Sequence, residues 1–206
     1  MMGIPEKVVL FNGKDLSNWT SRSGGEAPAW EIENGVLTVT PRTGDIVSKE
    51  EFGDAFIHLE FRVPDMPDKT GQHKGNSGVF IHGRYEIQVL DSYGLEPGKA
   101  DCASIYDRYA VLFNNCRKPL EWQTYDIVFR APRFDENGNV TEKPRLTLLF
   151  NGLPVHNNLI LESLTGAPLT EEMVAVGPLL LQDHNNTVSF RNIWMCRLPE
   201  RGLDRY

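Results

Sequence analysis

The sequence predicts an all-β protein, an antiparallel two-sheet sandwich of the jelly-roll type, and three observations predict it. Apolar residues recur with a period of two over short runs, the pattern of a strand with one buried face. The 18 glycines and 13 prolines are spread along the chain and mark frequent turns, which a helical bundle would not tolerate. No long stretch repeats its apolar residues at helical spacing. At 206 residues the chain suits one large domain, 1–206, of about ten to twelve short strands.

Taken in order, LFNGKDLSNW is a short apolar strand and a turn, with Trp19 as a core anchor. AWEIENGVLTVTP is a hairpin in which Asn34-Gly35 supplies the positive-φ turn. GDIVSKEEFGDAFIHLEFRVP follows as a strand pair. In its second strand Ile57, Leu59, Phe61 and Val63 form a buried face, and His58, Glu60 and Arg62 form an open one. The loop PDMPDKTGQHKGNSG, rich in Pro, Gly and charge, leads into the hairpin GNSGVFIHGRYEIQVLDS, and such loops often form the rim of a site. Val79 and Ile81 face one way there, and Phe80 and His82 the other, with Gly83-Arg84 as the turn. Tyr85, Ile87 and Val89 then alternate with Glu86, Gln88 and Leu90.

From Gly94 to Glu121 strand alternation disappears. The stretch reads as a surface insertion with a short helical turn around Ser104 to Tyr109. WQTYDIVFRAPRF resumes a strand, Thr124, Asp126, Val128 and Arg130 lying opposite its apolar face. A turn at DENGNV, a hairpin about Asn151-Gly152, a loop from Leu164 to Glu172 and a closing strand pair complete the chain. In that pair Leu180, Gln182 and His184 oppose Leu179, Leu181 and Asp183. If the strands neighbour one another, their polar rows tile one concave surface, as in a carbohydrate groove.

The formal charge of -7 argues against nucleic acid or an anionic membrane as partner, because either calls for basic clusters. A small neutral carbohydrate tolerates this balance; no protein partner is indicated. No apolar run reaches membrane-helix length, so no membrane insertion is expected, and MMGIPEKVVLFNG shows no secretory signal. Cys102 and Cys116 could close a disulfide loop in an oxidising compartment, or stand as free thiols near the core.

Sugar recognition uses planar hydrogen-bonding side chains and aromatic faces. The candidates are His82, Glu86, Gln88, Asp91, Arg130, Gln182 and His184, with Phe80, Tyr106 and Trp122 as platforms. Glycoside hydrolysis ordinarily needs two carboxylates flanking the scissile bond. Glu86 is one, yet its same-face neighbours are Gln88 and Leu90. A Glu near a His instead supports abstraction of a proton followed by protonation. No metal-ligand spacing occurs, so a divalent ion could be held only through the fold, by the Gln182-Asp183-His184 cluster with Glu86.

GNSGVFIHGRYEIQVLDSYG, DCASIYDRY, EWQTYDIVFRAPRFDENG, LFNGLPVHNN and GPLLLQDHNNTVSFRNIW together resemble the 3-keto-disaccharide hydrolase domain. LFNGKDLSNW and WEIENGVLTV extend the resemblance over nearly the whole chain. It implies a concanavalin-A-like lectin/glucanase sandwich, bacterial origin and a periplasmic or cell-surface location. It also implies chemistry: a ketone at carbon 3 acidifies the proton on carbon 2, a base removes it, the aglycone leaves carbon 1, and water adds back. On that resemblance Glu86 and His184 are the catalytic candidates, one or the other being the base. Gln88, Gln182 and Arg130 are the candidates to stabilise the oxyanion, and Tyr106 the candidate to protonate or orient the leaving group. The competing expectations are a carbohydrate-binding module without chemistry and an ordinary endo-glucanase.

Overall fold

A computed structural model describes residues 6–200; residues 1–5 of the N-terminal stretch MMGIPEKVVLFNG lie outside it. Fifteen strands run among the described residues. The first eight are β1 (Lys7–Val9), β2 (Trp19–Ser21), β3 (Glu31–Glu33), β4 (Val36–Thr38), β5 (Ile46–Phe52), β6 (Ala55–Arg62), β7 (Ser77–Ile81) and β8 (Tyr85–Val89). The rest are β9 (Gln123–Arg130), β10 (Arg133–Phe134), β11 (Val140–Glu142), β12 (Arg145–Phe150), β13 (Leu153–Ile160), β14 (Gly177–Leu181) and β15 (Ser189–Arg197). The strands beyond the number expected are chiefly pieces of two or three residues, too short to display a period.

The strands form an antiparallel sandwich. One sheet has the order β13-β12-β9-β6-β15-β4-β3, with β1 also on β15; the other runs β2-β5-β14-β7-β8; β10 and β11 make a separate ribbon. Ile57, Leu59 and Phe61 of β6 and Tyr125, Ile127 and Phe129 of β9 meet Val79, Ile81, Tyr85, Ile87 and Val89 of the facing sheet in one core. The hairpin turns follow their residues: Asn34-Gly35 (φ 51° and 79°) and Asn151-Gly152 (φ 50° and 81°) adopt the left-handed conformation that two-residue hairpins require.

Two expectations are corrected by strand order. The open rows of β6 and β9 do not share a surface with β8, because these strands pair with each other and with β15 in the opposite sheet. There the rows bond among themselves: His58 Nδ1 lies 2.6 Å from Asp126, and Arg191 donates to Glu60 at 2.7 Å. The turn between β7 and β8 also begins one residue earlier than expected. Ile81 pairs with Tyr85, leaving His82, Gly83 and Arg84 as the loop. His82 has φ 54°, so the strand alternation ends before it and its ring turns into the core.

The insertion after β8 is a strap along the edge of that strand. Gln88 N donates to Ser104 O (3.0 Å), Ala103 N to Gln88 O (2.9 Å) and Tyr106 N to Glu86 O (3.1 Å). The expected helical turn is a single tight turn: Tyr109 N bonds Ile105 O at 3.0 Å, and Asp107, at φ 57°, stops it from propagating. Cys102 and Cys116 are buried free thiols behind this strap, and Cys102 Sγ lies 3.3 Å from the Tyr125 hydroxyl.

Candidate active site

On the outer face of the five-stranded sheet lies a cavity of about 160 Å³. β8 contributes Glu86 and Gln88, the extension of β14 contributes Gln182 and His184, and the loop before β7 contributes Gln72 and Asn76. The strap adds Tyr106, and the loop between β13 and β14 adds Gly166 and Ala167. Gln182 and His184 reach Glu86 because β14 pairs with β7, Leu180 opposite Phe80, and Gln182 N continues that pairing to Gly78 O at 3.0 Å.

Glu86 is 5% exposed. Its space is made by Gly78, where an added Cβ would stand 2.6 Å from Glu86 Oε1 and 2.8 Å from the Phe80 ring. Burial pushes the Glu86 carboxyl up to about 8, and the nearby charge of Asp45 adds to the effect. Around it runs an amide relay. Gln72 Oε1 accepts from Gln88 Nε2 (2.9 Å) and from Asn76 Nδ2 (3.1 Å), while Gln72 Nε2 donates to Ala100 O at 2.8 Å. This arrangement leaves the side-chain oxygens of Gln88 and Gln182 buried without a partner. Two such acceptors lining one cavity call for donors from a ligand, and sugar hydroxyls are donors of that kind.

A second cavity of about 680 Å³ adjoins the first. Gln72 and His184 line both, and Asp68, Lys69, His73 and Asn185 give the larger one a polar wall.

The structure therefore brings Glu86, Gln88, Tyr106, Gln182 and His184 together. The other five expected residues do not line the cavity, each for a visible reason. His82 is fully buried, edge-on to Phe129 and tilted on Phe52; burial lowers its pKa to about 4, so it is a neutral core residue. Asp91 is held 2.8 Å from Lys74 at the base of the loop before β7. Arg130 is on the outer face of the eight-stranded sheet, paired with Glu142. Trp122 is on that same face, stacked by the guanidinium groups of Arg62 (4.9 Å) and Arg191 (4.0 Å). Phe80, expected as a platform, is fully buried.

Gln72, Asn76 and Gly78 went unsingled in the sequence reading; the Gly-Asn-Ser-Gly punctuation entering β7 was the available signal. Asp183 is also occupied, its carboxylate accepting from Thr43 N (2.9 Å) and Gly44 N (3.0 Å). Among the described residues no three His, Cys, Asp or Glu side chains gather closely enough to hold a metal ion. No helix there is long and apolar enough to cross a membrane.

A carboxyl group and a row of amides thus line one cavity on the outer face of an antiparallel sandwich, groups of the kind that bond sugar hydroxyls. The chain belongs to the 3-keto-alpha-glucoside-1,2-lyase-like domain family, whose model matches residues 6–196. It is 40% identical to a candidate glycosyl hydrolase from Parabacteroides distasonis of known structure, over 93% of this chain and 84% of that one, with a TM-score of 0.84. A second candidate glycosyl hydrolase from that organism is 20% identical over 94% of each chain (TM-score 0.70). A Bacillus subtilis protein of unknown function with a galectin-like fold is 12% identical over 95% of this chain and 96% of its own (TM-score 0.51). These last two show the fold alone. A comparison with curated proteins found no match.

Proposed function

We propose that this domain cleaves 3-keto-glycosides by elimination and hydration, with Glu86 as the base. The observation that carries this reading is that Glu86 is the one carboxylate lining the smaller cavity, where a two-carboxylate hydrolysis would need a second. The cavity equals about five waters of liquid volume, room for one sugar ring. Glu86 takes the carbon-2 proton, and the electron pair is held by the carbon-3 ketone as an enolate. The bond from carbon 1 to the leaving oxygen then breaks as the carbon-1 to carbon-2 double bond forms. Water adds at carbon 1 and the proton returns to carbon 2, so one water is consumed in all. Tyr106 and the Gln182 amide are the donors offered to the enolate oxygen. His184 lines both cavities, which supports its role in protonating the leaving oxygen; the larger cavity then takes the leaving group, whose polar walls suit a second sugar.

The test is release of the aglycone from a glucoside and from its 3-keto form. Only the keto compound should be cleaved, and Glu86→Gln should lose about 10²–10⁴-fold in kcat/KM, His184→Ala somewhat less. Cleavage of the unoxidised glucoside alone, or full activity in both variants, overturns the reading. Because the base must be ionised, kcat/KM should rise with pH and level off above about 8. A flat profile between pH 6 and 9 (roughly the span set by that base) would contradict the assignment.

A further inference from the structure

The loop walling one side of the Glu86 cavity is seated on the sheet. Leu169 packs against Val47 of β5, Phe80 of β7 and Leu180 of β14, an apolar cluster on the outer face of the five-stranded sheet. It lies directly over Gly83, where an added Cβ would come within 2.2 Å of Leu169 Cδ1, and Leu169 N donates to Gly83 O at 2.9 Å. Two arginines hold the flanking backbone. Arg22 donates to the carbonyls of Ala167 (2.8 Å) and Pro168 (2.9 Å); Arg84 donates to Glu172 O (2.7 Å) and Thr170 Oγ1 (2.5 Å). At the near end Thr165 Oγ1 accepts from Glu86 N at 2.9 Å. Beyond the loop is a third cavity, about 550 Å³, lined by Val47, Arg84, Leu169 and Pro178, while Gly166 and Ala167 line the Glu86 side.

We propose that segment 164–172 is a plug that divides one groove into two cavities, and that Leu169 is a positioning residue acting on Glu86 by keeping water from it. The catalytic meaning of the plug rests on the reading of Glu86 as the base. Its physical meaning does not. The larger cause of the raised Glu86 pKa is burial, and the segment contributes backbone and small side chains, not charge, to the Glu86 cavity. The ionisable groups around Glu86 are Asp45 ahead of β5, Tyr106 of the strap and His184 beyond β14; β7 presents only Gly78 and Phe80, and the loop before it only the amides of Gln72 and Asn76. Arg22 also pairs with Asp45 at 3.0 Å. Removing it would admit water and unmask a negative charge together, two effects of opposite sign on Glu86. Leu169 is the clean probe, because its substitution leaves every charge in place.

The experiment follows the infrared carboxyl band that disappears in Glu86→Gln, through a pH titration of intact wild type, Leu169→Ala and Leu169→Ser. Amide exchange of segment 164–172 is measured on the same samples. In both variants exchange should quicken, and the midpoint of the band should fall by about one unit or more toward the ordinary carboxyl range; Leu169→Met should restore it. Quickened exchange with an unmoved or raised midpoint overturns the proposal. So does unchanged exchange in both variants, or a wild-type midpoint already in the ordinary range. If Leu169→Ser does not fold, Leu169→Ala and Leu169→Met decide. No substrate is used, so a protein inactive on 3-keto-glycosides would sink the catalytic reading and leave the plug standing.

Discussion

Glu86 keeps its proton to a pH of about 8 when folded, against an ordinary value of 4.5. Between those values the unfolded chain has lost the proton and the folded chain has not. The folded state then binds more protons, so stability contributed by this group is complete below the ordinary value, declines as pH rises, and levels off above about 8. A neutral amide of the same shape has no such dependence. Glu86→Gln should melt several degrees above wild type at pH 9 (about 4–8 °C per kcal/mol in small domains and less in larger ones), and the gap should close toward pH 4. Calorimetry across that range checks it; parallel curves for the two proteins would show that Glu86 is not held out of water. The same side chain would thus cost stability and supply base strength, a combination expected where a group is tuned for chemistry.

At the scale of strands and turns, His82 and Gly177 form one unit. The left-handed backbone at His82 sends the ring inward, and an added Cβ at Gly177 would meet His82 Cβ at 2.9 Å. Gly177→Ala should therefore destabilise the protein by about 1–3 kcal/mol, as overpacking does, measured by urea unfolding; an unchanged midpoint would mean that β14 yields freely. This unit also shows what could be read from the chain. Alternation along β6 and β9 marks correctly which residues are buried, because a period of two is local; along β8 it separates the core side from the cavity side, but all five residues are buried. Alternation cannot say which sheet a strand joins. Glu60 and Glu86 carry the same local signal, yet their strands pair with different partners, and pairing between distant segments leaves no mark on either. Gln182 and His184 reach the cavity through just such a pairing, between β14 and β7. His82 was misread because alternation was carried one residue past the strand, into a turn whose φ inverts the side chain.

Across the whole molecule the two outer faces are unlike. On the eight-stranded sheet the polar groups satisfy one another, and Trp194 is covered by Lys7 at 4.3 Å and His58 at 5.1 Å, so its rings and charges are already spent. On the five-stranded sheet, acceptors stand open in a cavity. That contrast, invisible in composition, is what singles out the five-stranded face as the side for the proposed sugar site. The strap from Cys102 to Tyr109 has a further consequence. β8 is the last strand of its sheet, and without the strap its row of N–H and C=O groups would be a template for another chain. Ser104 O, Ala103 N and Tyr106 N occupy that row instead. Replacing residues 101–109 by a short Gly-Ser linker should therefore produce concentration-dependent oligomers by light scattering, where the intact chain shows none of that origin; a monodisperse variant would refute this. The segment that delivers Tyr106 to the cavity would then also be what stops two copies from fusing edge to edge.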